Sequence, residues 1–99
     1  MYIYNVTVKI DLDVKDLWIK WMKEVHIPMV MQTGCFLDYK MLRLMLDEED
    51  GDTYAIQYYV DSIEILEQYQ KEHGPDLRNE TEKIFKDRYV AIRSVLEVI

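Results

Sequence analysis

Residues Tyr2 to Ile10 alternate with a period of two. Tyr2, Tyr4, Val6, Val8 and Ile10 fall on one face, and Ile3, Asn5, Thr7 and Lys9 on the other. Aromatic and β-branched residues in that pattern make a strand with one strongly apolar face. Such a strand needs neighbours along its edges and a layer of structure against its apolar side. The 99 residues hold a single cysteine, Cys35, so no internal disulfide can replace that layer. The rest of the chain must supply it, as one domain over residues 1–99.

The next segment supplies a helix. Asp11–Asp13 breaks the strand, and Asp13 suits a helix N-cap. Val14, Leu17, Trp18, Trp21, Met22 and Val25 then recur at helical spacing, which predicts an apolar stripe. Pro28 lacks a backbone donor, so a break is expected at His26–Pro28, followed by a short helical turn that Thr33-Gly34 ends. Phe36–Leu46 and Tyr54–Val60 read as two strands joined by the polar turn Asp47–Asp52. That turn has many carboxylates but not the spacing of a calcium loop, and a solvated hairpin is expected. Asp61 and Glu64 stand three apart at the start of a second helix whose inner face holds Ile63, Leu66 and Tyr69. Gly74-Pro75 punctuates it. Leu77, Thr81, Ile84 and Phe85 face inward from the following helix. The last strand, Tyr89–Ile99, has Val90, Ile92, Leu96 and Val98 on one side and Ala91, Arg93, Val95 and Glu97 on the other.

The order is β-α-β-β-α-β, an α+β plan of the ferredoxin-like kind, with a four-stranded antiparallel sheet and its helices on one face. Such a sheet leaves its second face uncovered. Here that face is expected to carry Ile3, Asn5, Thr7, Lys9, Gln57, Tyr59 and Arg93, with Ala91 and Val95. It is too apolar to remain in water, and pairing with a second copy would cover it. The homodimer interface is therefore placed on Ile3, Asn5, Thr7, Gln57, Tyr59 and Arg93, with Arg43, Gln57 and Arg93 a candidate polar cluster.

Composition excludes several functions. Asp and Glu outnumber Lys and Arg by 19 to 12, a formal charge of −7, which makes the chain a poor candidate for nucleic acid or an anionic membrane surface, both of which need a basic face. No stretch is long and apolar enough to span a bilayer. Met1–Ile10 lacks the apolar core of a signal peptide, so a cytoplasmic location is expected. Two isolated histidines and one cysteine give no metal-ligand spacing, and no phosphate loop, nucleophile triad or carboxylate pair is visible. Neither a metal nor a cofactor is expected.

His26 stands at the helix break beside two tryptophans. It is either a hydrogen-bonding or acid/base group at a pocket mouth, or a cap for the helix end. His73, before Gly74, reads as a cap. Cys35 has no basic neighbour in sequence and reads as an idle thiol. Eight tyrosines raise the chance that hydroxyls line a cavity. The expected ligand pocket lies between the first helix and the even face of the first strand, where Tyr4, Trp21, His26 and Tyr58 converge. It would suit a small planar organic ligand. The alternatives are an enzyme of cofactor-free oxygenase or isomerase type using His26 or a tyrosine as acid/base, and a structural protein with no active site.

The plan, Trp18 and Trp21, His26-Ile27-Pro28, Thr33-Gly34 and Phe36 together resemble the dimeric α/β barrels, the antibiotic-biosynthesis-monooxygenase-like proteins. Among these the chain is similar above all to short bacterial proteins classed as a domain of unknown function. The resemblance covers essentially the whole chain, including Ile3–Val8, and implies a dimer whose sheets pair into a barrel. Relatives with oxygenase or haem-degrading activity place an Asn from the first strand at the substrate. Asn5 has the wrong parity for that role. Tyr69 and Asn79 stand near the places of a Trp and a His in the haem degraders. These departures count against both activities here.

Overall fold

The computed structural model describes residues 1–46 and 48–99. Strand β1 spans Tyr2–Asp11, β2 Asp38–Arg43, β3 Gly51–Val60 and β4 Tyr89–Glu97. Helix α1 spans Lys15–Trp21, α2 Ile27–Gln32, α3 Ile63–Glu72 and α4 Gly74–Phe85. The sheet is antiparallel in the order β2-β3-β1-β4, so the alternating strand of the sequence lies inside it. The even side chains of β1 meet the helices: Tyr4, Val8 and Ile10 are buried in one core with Trp18, Ile56, Tyr58, Leu66, Tyr69 and Phe85. This is the ferredoxin-like arrangement expected from the element order.

The first helical segment does not break. A 3₁₀ turn, Leu12–Val14, leads into α1, and a π turn, Met22–His26, joins α1 to α2. The Ile27 N–H donates to the Met22 carbonyl, five residues back. The wider turn absorbs the donor missing at Pro28, which sits in the first turn of α2. It also moves the buried stripe. After Trp18 and Met22 the next buried positions are Ile27 and Val30, while Val25 and Leu17 are exposed, against the expectation from strict helical spacing. Gly34, at φ 77°, then ends the helix as Thr33-Gly34 predicts.

The caps differ from expectation. Asp13 makes no cap; its carboxylate pairs with Arg88. Ser62 rather than Asp61 caps α3, accepting from the Ile65 N–H at 3.3 Å. On α4 Leu77 and Phe85 are buried, but Ile84 is exposed. In the hairpin turn Lys9 pairs with Asp50 at 2.9 Å and Glu48 at 3.6 Å, which keeps those carboxylates for a structural task. Asp47 of that turn lies outside the described residues.

Register corrects the faces of β4. Arg93 stands opposite Val6, Ala91 opposite Val8 and Val95 opposite Tyr4, so all three belong to the helix-covered face. Val90, Ile92, Ser94 and Leu96 lie on the open face beside Lys9, Thr7, Asn5 and Ile3. The larger hydrophobes of β4 point away from the helices because the open face is itself apolar there, so hydrophobicity alone selects the wrong side. Arg93 is therefore not on the open sheet face.

The open face is otherwise as read. Ile3, Asn5 and Thr7 pair with Tyr59, Gln57 and Ala55. The Asn5 amide donates to Thr7 Oγ1 at 3.0 Å and Ser94 Oγ at 3.3 Å and accepts from Gln57 Nε2 at 3.3 Å. Asn5 thus faces away from the helices. The cluster of Arg43, Gln57 and Arg93 does not form: Arg43 pairs with Tyr54 on the helix-covered face and reaches Asp52 at 3.7 Å.

Candidate functional site

A cleft opens between the sheet and the helices. Its floor is Tyr4, Val6 and Val8 of β1, Ile56 and Tyr58 of β3, and Ala91 and Arg93 of β4. Trp18, Met22, His26 and Val30 form one wall, and Tyr69, Gly74, Leu77, Arg78 and Thr81 the other. The enclosed part measures about 50 Å³, and the cleft with its mouth about 580 Å³. The first volume admits only a few waters. The larger figure includes open solvent at the mouth.

Aromatic rings build the inner surface. Tyr4 stacks near Phe36 at 6.2 Å and near Tyr58 at 6.3 Å, and Tyr69 meets Phe36 edge-on at 4.7 Å. Trp18 leans on Tyr54 at 5.3 Å. Offset and edge contacts of this kind fix ring orientation.

The polar groups in this apolar frame are few. Tyr58 is 2% exposed, and its hydroxyl has no hydrogen-bond partner among the described residues. Burial raises its pKa far above the usual phenol range, so the hydroxyl stays protonated and a hydrogen-bond donor. His26 Nδ1 is also buried without a partner. Burial, and after it the charge of Arg93, lowers the His26 pKa to about 4, so the ring is neutral at pH 7. Tyr69 is raised by burial and Tyr4, with Arg78 and Arg93 opposing. Tyr89, at the rim, is pushed up to about 12 by burial and by its hydrogen bond to Glu82.

Three of the four expected ligand residues, Tyr4, His26 and Tyr58, line the cleft. Trp21 does not. It stacks on His26 at 5.0 Å and meets Phe85 edge-on at 5.4 Å, so it backs the imidazole from behind. The π turn puts His26 inside a continuous helical segment, so the ring is not a helix-end cap. His73 joins α3 to α4, leaning on Tyr69 at 6.1 Å. Cys35 is a half-buried thiol next to Thr33. No group of three His, Cys, Asp or Glu among the described residues is arranged to hold a metal ion. Among the described residues no helix is long and apolar enough to cross a membrane.

Sequence reasoning missed Arg93, Arg78 and Thr81 as one set. The signal for Arg93 is Ala91: a small residue on the inward parity of a strand leaves space opposite it. For Arg78 the signal is Gly74, one turn earlier. A Cβ there would lie 3.1 Å from the Arg78 guanidinium, so glycine makes room for that side chain against the helix.

Solved structures of the same fold cover this chain fully. One is a dimeric ferredoxin-like protein from an uncultured marine organism, at TM-score 0.69 and 12% identity over 100% of this chain and 95% of that one. A second is a MhuD variant with two manganese protoporphyrin IX bound per active site, at 0.71 and 15% over 100% and 95%. A third is an antibiotic biosynthesis monooxygenase, at 0.64 and 13% over 100% and 99%. No curated protein matches the chain in sequence. A family model does match, over residues 1–99: the chain belongs to the family described as Domain of unknown function (DUF4286).

Proposed function

We propose that this protein is a homodimeric small-molecule binding module whose cleft takes a planar, partly polar ligand. One observation carries the reading. The Tyr58 hydroxyl and His26 Nδ1 are buried in the cleft region without partners, inside an otherwise apolar, aromatic frame. A buried polar group left unpaired costs about 1–3 kcal/mol, so two such groups on residues that line one cleft favour an occupant that pairs with them. The neutral imidazole offers an acceptor or a donor, and the protonated phenol a donor. An acid/base role is less well supported, because an imidazole with a pKa of about 4 is a weak base at neutral pH.

The dimer has its own support. Ile92, Val90 and Leu42 are 67%, 66% and 44% exposed on the open sheet face, where a second copy would cover them. A similar fold belongs to a protein described as dimeric.

The test is a titration with 2-naphthol followed by nuclear magnetic resonance. Saturable shifts should centre on Ala91, Val6 and Thr81, and Ala91→Phe should abolish them. Shifts confined to other surfaces, or no shifts, would overturn the reading.

A further inference from the structure

The chain has four arginines. Arg43 is paired with Asp52, and Arg88 with Asp11 and Asp13. Arg78 and Arg93 make no ion pair among the described residues, and these two line the cleft. The protein holds 19 acidic residues, yet no Asp or Glu among those described lines it. Glu82, next to the lining residue Tyr89, accepts a hydrogen bond from the Tyr89 hydroxyl. A net charge of −7 makes unpaired guanidiniums at one opening an uneven distribution of charge, not a general property of the surface.

The two arginines come from different layers, Arg93 from β4 in the floor and Arg78 from α4 in a wall. Both line the cleft together with Tyr69. Gly74 leaves the space that the Arg78 guanidinium occupies. A guanidinium offers planar paired donors that match a carboxylate. The aromatic floor of Tyr4 and Tyr58, with Trp18 in the wall beside it, matches a ring. The acidic protein as a whole repels highly charged anions, which favours a single negative charge.

We infer that the cleft takes a small aromatic monocarboxylate, with its carboxylate held between Arg78 and Arg93 and its ring on the aromatic floor. This rests on the cleft being a ligand site. The arginines set the charge of the ligand, and the rings its shape.

The experiment compares 2-naphthoate with its neutral isostere 2-naphthamide by calorimetric titration of the full chain. Naphthoate should bind at least tenfold more tightly, and its affinity should fall as salt rises. Arg93→Gln and Arg78→Gln should each weaken naphthoate at least fivefold and leave naphthamide within twofold. Both positions are solvent-exposed, so folding should be preserved; circular dichroism checks it. Equal affinities for the two probes, unaffected by the arginine variants, would overturn the carboxylate assignment while leaving the cleft as a ligand site. Tenfold tighter binding of 2-naphthyl phosphate than of naphthoate would also overturn it, in favour of a phosphate. Binding of neither naphthyl probe, or naphthoate binding that survives Ala91→Phe, would overturn both the assignment and the site.

Discussion

Arg93 stands opposite Val6 across the β1–β4 ladder, which carries its charge to the helix-covered face and within reach of His26. Burial lowers the His26 pKa most, and the guanidinium adds to it. Arg93→Gln removes the second cause and leaves the first. The His26 pKa should therefore rise from about 4 but stay below the ordinary 6.5. Titrating the imidazole carbon signals by nuclear magnetic resonance reads this directly. An unchanged pKa would mean that the guanidinium does not face the ring.

The same depressed pKa sets a pH dependence of stability. The unfolded chain binds a proton at His26 near pH 6.5, and the folded chain does so only near pH 4. Between those values the unfolded state holds more protons, so stability falls as pH falls from 6.5, and most of the loss is reached by about pH 4. After discounting for partial exposure, the loss is about 2 kcal/mol. Denaturant melts from pH 7 to pH 4 should show it, and His26→Gln should remove that part of the slope. A slope unchanged by the substitution would assign the acid sensitivity to other groups.

Much of the fold was legible because it rests on periodicity. The alternation of Tyr2–Ile10 set the central strand, and Thr33-Gly34 set a helix end. The site was legible where it depended on those same even positions, Tyr4 and Tyr58. It was not legible where hydrogen bonding changed the period. The π turn adds a residue between Met22 and Ile27, exposes Val25, and turns Trp21 behind His26. Arg93 was misplaced for a different reason. Both faces of β4 carry hydrophobes, so only register with β1 separates the cleft side from the open side.

The open face yields a prediction about assembly. Light scattering at micromolar concentration should give about 24 kDa, twice the chain mass of 12.0 kDa. Ile92→Asp, which puts a charge in the middle of that face, should shift the mass to the monomer. Arg93→Gln should leave the dimer intact, because Arg93 faces the helices. A monomeric wild type at high concentration would contradict the dimer.

Replacing Tyr58 with Phe tests the central claim most directly, because it removes a buried hydroxyl that has no partner among the described residues. If that hydroxyl serves a ligand, the free protein should lose nothing, and relief of the unpaired group should leave it equal to wild type or about 1 kcal/mol more stable. The same variant should bind 2-naphthol several-fold more weakly. Stability and affinity measured on one preparation of Tyr58→Phe should therefore move apart. A variant that melts earlier than wild type and binds 2-naphthol equally well would contradict the account.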